Sequence, residues 1–405
     1  MEEKLFDEND TLFDITERYP QTIDVFVANG FANMADVEKR ACLGRAISLK
    51  QALQTKGKSV AIFSELLTEV IGEETSSVDV SLRGGVKSDA GISVVGSLPC
   101  PVRIPLLEGL NLFIQDFKEQ HGVGIEHDLK AASQGAGWIE TYIDGVAEID
   151  ELPDIFISAG FETFFDYKQI GRFKDAGAYR DRVPFSGVNR DFSDIDIRDP
   201  RGDYSVIGVV PAVFLVNTDE LGDLPMPETW EDLLQPGFEN SISLPVGDFD
   251  LFSSLLIHIY KRYGEDGVRK LGVALLESMH PAEMVKSERK KRRPIVTIMP
   301  YFFTKMTRGK GPMVAVWPKD GAIISPIFLL TKRTGTHNIQ PVIDFLASKE
   351  VGEILSHQGL FPSLHPDVDN GLGDDDGFMW IGWDYIYEND IPDLVGRCER
   401  IFNGD

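Results

Sequence analysis

The chain has 405 residues, a formal net charge of −25 and 42% hydrophobic residues. That length predicts two or three domains, since folding units usually run ~100–200 residues, and the apolar content excludes a globally disordered chain. The acid excess excludes a nucleic-acid partner, which would draw on clustered Lys and Arg to neutralise phosphates.

The first stretch, Met1 to Asp14, is acidic and has neither a basic nor an apolar segment. It reads as a native start rather than a secretory leader and predicts a cytoplasmic location. Residues 1–72 predict a small all-helical domain. Leu12, Ile15 and Tyr19 are helix-spaced, and Pro20 suits the first turn of a second helix carrying Ile23, Phe26 and Val27. Asn29-Gly30 is a stop signal. Ser48 can cap Leu49 to Leu53, and Val60, Phe63, Leu67 and Val70 share one helical face. Residues 73–90, rich in Ser, Gly, Asp and Lys, read as a linker.

From Gly91 strand-like and helical stretches alternate, which predicts a parallel, helix-covered sheet. Ile92 to Gly96 precedes a helix with Leu106, Leu107, Leu110, Phe113, Ile114 and Phe117 on its buried side. Asp154 to Gly160 is a second strand-to-turn passage. The longest apolar run, around Val206 to Val216, is far below the ~18 residues of a membrane span, so no membrane insertion is expected. The one basic run, Lys290 to Arg293, reads as a solvated loop or a local anion or partner site.

Ligands of open parallel sheets gather beyond the carboxyl ends of the strands, where helix N-termini offer unpaired N–H groups. That rule selects four turns: Ser97 to Cys100, Ser133-Gln134-Gly135, Ser158-Ala159-Gly160 and Val246 to Phe249 with Gly247 and Asp248 inside it. Small hydroxyl and glycine residues there suit an oxyanion. Cys100, between two prolines at a helix start, is either a reactive thiol lowered by the helix dipole or a small buried thiol facing the cleft. An odd cysteine count (Cys42, Cys100, Cys398) without metal-type spacing suits a reducing compartment. No catalytic triad spacing, P-loop or metal cluster is visible, so neither an enzyme nor a cofactor is expected. Asp374-Asp375-Asp376 lacks the alternating ligands and distal Glu of a calcium loop.

Residues Asn217 to Pro245 run from an apolar strand through an acidic, Pro-rich turn and a Thr-capped helix, Thr229 to Leu234, into a short strand, Ile242 to Pro245. This order resembles the iron(III)/polyamine/thiamine-type extracellular solute-binding proteins of ABC transporters. The resemblance implies a two-lobed periplasmic-binding-protein type II fold of class α/β with two crossover strands. Lobe one would hold residues 91–205 and 325–405, and lobe two 206–324. The pattern from Thr11 to Phe31 resembles the DUF1858-type helical domain, without the cysteines that follow Gly-Phe in its redox-associated relatives. In ferric-binding members two adjacent tyrosines occupy what looks like the place of Tyr301-Phe302, and one phenolate alone holds a hard trivalent ion poorly. Tyr301 would then hydrogen-bond or stack on an organic ligand. Trp317 to Ala322 resembles the family's returning hinge. There Trp317 is a stacking wall or core, Asp320 a partner for a ligand amine or a solvated turn residue, and Gly321 a point of close backbone approach. The implied function is capture of a small ligand, an oxyanion or organic solute, by hinge closure, with an ABC-transporter permease as partner. The alternatives are a cytoplasmic sensor or scaffold acting on a protein partner through residues 1–72, and an enzyme using Cys100.

Overall fold

The computed structural model describes residues 5–20, 22–28, 31–56, 60, 63–64, 67–68, 71, 82–85, 91–98, 100–131, 137–245, 251–278, 292–307 and 311–404. The first of these form the helical unit. Thr11 caps Leu12–Arg18 by accepting the Asp14 N–H, and Ser48 and Gln51 make a reciprocal capping box at the head of Leu49–Thr55. A second helix, Thr22–Ala28, begins two residues after Pro20. The expected stop at Asn29-Gly30 lies outside the described residues, as does Val70. Leu12, Ile15, Phe26, Leu49, Leu53, Phe63 and Leu67 form the core, with the rings of Phe26, Phe31 and Phe63 at 5.4–6.1 Å from one another. One further core residue, Ile104, comes from the Cys100–His121 helix of the next domain and is 1% exposed.

The stretch read as a linker contains a short strand, β1 (Leu82–Gly85), which pairs antiparallel with β3 (Ile125–Ala131) at the sheet edge. The sheet then takes in β2 (Ile92–Leu98), β4 (Ile155–Ala159), β5 (Val206–Asn217), β6 (Ile242–Leu244), β7 (Leu275–Ser278), β8 (Val296–Pro300), β9 (Met313–Val316), β10 (Ala322–Thr331) and β11 (Phe378–Met379). Its order is β1-β3-β2-β4-β10-β5-β8-β6-β7, with β9 against β5 and β11 against β10.

That order contains one pattern twice. In lobe one the parallel strands run β3-β2-β4, then antiparallel β10, then β5; in lobe two they run β7-β6-β8, then antiparallel β5, then β9. The strands β5 and β10 therefore belong to both halves and are the two crossovers. All twelve residues of β5 and all ten of β10 are buried, because these strands are covered on both faces. They pair antiparallel, with a register shift between Ile327 and Phe328. Each also carries a proline inside the pairing, Pro211 opposite Ile324 and Pro326 opposite Val209. A proline carries no N–H, so each crossover strand has one fewer backbone donor where the lobes join.

Lobe one is a three-layer sandwich. One face of its sheet (Ile92, Val94, Leu98) packs on Val102, Leu106 and Leu110 of the Cys100–His121 helix and on Val342, Leu346 and Val351. The other face meets the Gly137–Asp144, Glu162–Phe165 and Ile170–Asp175 helices. Gly96 is required at the centre: a Cβ there would lie 1.8 Å from the Ile157 carbonyl oxygen of the neighbouring strand. The C-terminal part differs from the expectation that it would finish lobe one. The Ile391–Asn403 helix packs along the Leu251–Ala274 helix of lobe two, with Gly272 against the Phe402 backbone and the Phe252 and Phe402 rings 5.2 Å apart. The pairing depends on a glycine and an apolar stripe that lie far apart in sequence, which local patterning does not connect.

Candidate ligand cleft

The carboxyl ends of β2, β3 and β4 face those of β6 and β8 across the junction of the lobes. At the lobe-one edge the register brings three polar side chains into one row, with Ser97 on β2 opposite Lys130 on β3 and Ser158 on β4. Paired residues of parallel strands project to the same face. Ser97 is 3% exposed, Lys130 8% and Ser158 0%. The Ser158 hydroxyl donates to the Ala159 carbonyl at 2.8 Å. Trp138, at the start of the Gly137–Asp144 helix, covers this face: its ring is 5.5 Å from Lys130 Nζ and stacks on Phe156 at 5.9 Å. The Ser97 hydroxyl and the Trp138 indole N–H are both buried without a hydrogen-bond partner.

Lys130 and Trp138 were not among the residues selected from sequence. The signal was present in β3, where Glu126, Asp128 and Lys130 alternate with apolar or half-apolar neighbours and the lysine stands at the carboxyl end.

The other expected positions divide clearly. Gly160 is buried, but its N–H donates to the Pro326 carbonyl at 3.2 Å and so ties β4 to the crossover instead of offering a donor to a ligand. Cys100 opens the Cys100–His121 helix, and its side chain lies outside the described residues, as do Ser133, Gln134, Gly247 and Asp248. Cys398 is buried, and burial pushes its thiol up to about 11.

In lobe two Tyr301 follows β8 directly and is half-buried. Its ring meets Trp317 edge-on at 5.1 Å, and Trp317 meets Phe378 at 5.8 Å. The Trp317 indole N–H donates to the Gly377 carbonyl at 2.8 Å, and its ring is partly buried against the core. Phe302 turns the other way. It is 5% exposed, sits in the lobe-one core and lies 6.4 Å from Phe361. Lys305 extends the same crossing by donating to the His357 and Gln358 carbonyls at 2.8 and 3.0 Å. A second interlobe contact runs from the Ser253 hydroxyl to the Glu162 carboxylate at 3.0 Å.

Asp320 and Gly321 correct the hinge expectation. The Asp320 carboxylate accepts the Trp230 N–H at 3.2 Å and the Tyr263 hydroxyl at 3.3 Å, with Arg262 at 3.6 Å. Burial, with this carboxylate adding to it, pushes Tyr263 up to about 12. Lys319 pairs with Glu228. These groups brace the turn to lobe two, with the Asp320 side chain 10% exposed and Lys319 65% exposed. Gly321 has φ +98°, and a Cβ there would lie 2.7 Å from the Phe378 backbone carbon, so the close approach it permits is to β11.

His258 lies beneath β10, with Nδ1 2.7 Å from the Ser254 carbonyl and the Ser254 hydroxyl donating to the Ile324 carbonyl of β10 at 3.1 Å. Burial lowers its pKa to about 4, so it is neutral near pH 7. Among the described residues no three His, Cys, Asp or Glu side chains gather as a metal site.

The model of the bacterial extracellular solute-binding protein family matches residues 150–389, more than half of the chain. The chain belongs to that family. Residues 6–63 match a second model, that of a domain of unknown function, DUF1858. No curated protein matches. Among solved structures, apo ferric ion-binding protein A of Pasteurella haemolytica superposes with TM-score 0.57 at 11% identity, covering 78% of this chain and 98% of its own. The ferric binding protein from Campylobacter jejuni gives 0.53 at 14%, covering 77% and 98%. The substrate binding protein of an ABC transporter from Agrobacterium tumefaciens gives 0.51 at 15%, covering 80% and 100%. At such identities the likeness is one of fold, and the fold is the type II periplasmic-binding architecture. This solute-binding protein therefore carries a helical unit in front of a two-lobed domain of a family that binds and does not catalyse.

Proposed function

We propose that this solute-binding protein captures one small solute in the cleft between its lobes, and that capture proceeds by bending of β5 and β10. The observation that carries the reading is the sharing of these two strands by both half-sheets, each with a proline within its pairing. Bending there changes the lobe angle while each half-sheet keeps its own ladder. The solute is not a bare iron(III) ion. Phe302, beside Tyr301, has its ring in the lobe-one core, so the adjacent pair supplies one phenol and the aromatic wall of Tyr301 and Trp317. The partner that receives the cargo is an ABC-type permease.

One observation favours a second reading. Ile104 belongs to the core of the helical unit and lies one turn from the cleft-facing start of its own helix. On this reading the unit signals cleft occupancy to a protein partner, and the chain works in the cytoplasm without a permease.

A thermal-shift screen tests the capture reading. The panel is iron(III), divalent metals, polyamines, thiamine compounds, phosphates, sulfonates and small carboxylates. A ligand that binds only the folded state at ~100 times its dissociation constant adds ~2.7 kcal/mol, which raises the melting temperature measurably. We expect at least one organic or oxyanionic hit and none from iron(III) alone; a shift with iron(III) only would refute the assignment of Phe302.

A further inference from the structure

We propose that Ser97, Lys130 and Trp138 form an oxyanion subsite in lobe one, so that the captured solute carries a carboxylate, phosphate or sulfonate group. The inference rests on the capture reading and deepens it by naming the chemical class of the cargo.

Three kinds of donor lie along this row. Ser97 supplies a hydroxyl, Trp138 an indole N–H and Lys130 an ammonium, and all three groups sit at the carboxyl edge where ligands of such sheets bind. The indole has no acceptor capacity and the ammonium has none. Two of the donors, the Ser97 hydroxyl and the Trp138 N–H, are buried without a partner. Leaving a buried donor unsatisfied costs stability, and neither strand pairing nor packing requires a serine or a tryptophan nitrogen at these places. The row is held from below by the stacking of Trp138 on Phe156 and from the side by Ser158, whose own hydroxyl proton is directed to Ala159. Hydrogen bonds to an ionised group are about twice as strong as neutral ones, so an oxyanion satisfies this set better than a neutral carbonyl.

One carboxylate stands near the row. Asp128 is two residues before Lys130 on the same strand face, one layer deeper, where its charge helps to raise the Tyr142 hydroxyl after burial has done so. The positive end of the row thus faces the cleft edge and the negative group lies behind it. A cationic solute would meet Lys130 first.

The test is calorimetry of the full chain with inorganic phosphate, sulfate, methanesulfonate and acetate, repeated on Ser97→Ala, Lys130→Met and Trp138→Phe. We expect one-to-one binding of at least one of these anions. Lys130→Met should weaken it tenfold or more, and Ser97→Ala and Trp138→Phe severalfold, with melting temperatures of the last two close to the parent. If Lys130→Met fails to fold, the other two variants still decide. Unchanged anion affinity in both would overturn the subsite. Binding of polyamines or neutral solutes with no anion bound would also overturn it while leaving the capture reading intact. Absence of binding by every class in the wider panel would remove both.

Discussion

Gly96→Ala is expected to destabilise lobe one by about 3 kcal/mol or more, at the upper end of what overpacking a core costs. The added Cβ would stand 1.8 Å from the Ile157 carbonyl oxygen and 2.8 Å from its carbonyl carbon. Both are backbone atoms in the middle of a paired strand, so no side chain can turn aside to make room. Relief requires β2 to move away from β4, which breaks the register that sets Ser97 opposite Ser158. The variant should therefore melt earlier and also lose ligand affinity. Gly187→Ala serves as the control, because a Cβ at that position meets nothing within 4 Å. Equal melting temperatures for Gly96→Ala and the parent would contradict the close approach of β2 and β4, and with it the row of Ser97, Lys130 and Ser158.

Ile104→Asp should release the helical unit from lobe one. Ile104 is 1% exposed and shares a core with Leu12, Ile15, Phe26 and Leu53. A carboxylate cannot enter that core ionised without a cost of several kcal/mol. Hydrogen exchange of the full-length variant should show lost protection across Leu12–Arg18 and Leu49–Thr55, with β5 and β10 unchanged. Ile104→Val, which removes one methyl, should cost only ~0.5–1.5 kcal/mol and keep the unit docked. Retained protection in Ile104→Asp would mean that the helical unit stands without its neighbour, and the relay to the cleft would have no mechanical basis.

The elements of this chain were legible where the cause of structure is local. Ser48 announces its helix because a cap acts within three residues. The alternation of strands and helices after Gly91 announces the parallel sheet, and the order of blocks around Asn217 announces the crossover. The cleft was legible only as a set of strand ends. Asp320 looked like a free charge on a turn, but its partner, the Trp230 N–H, lies 90 residues away. Lys130 acquires its meaning from the pairing of β3 with β2 and from Trp138, and no window on the sequence holds all of these. The turn of Phe302 into lobe one and the docking of the last helix on lobe two have the same origin. Each is decided by which apolar face remains uncovered once the sheet has formed, a long-range outcome of packing that periodicity does not encode.

On the capture reading, one solute is held by both lobes at once. Hydrogen exchange of the full chain, with and without the compound that gives the largest thermal shift, tests it most directly. Added protection is expected at the carboxyl ends of β2 and β4 in lobe one, at Tyr301 and the end of β8 in lobe two, and along the paired segments of β5 and β10. Protection confined to a single lobe, or to the helical unit alone, would contradict it.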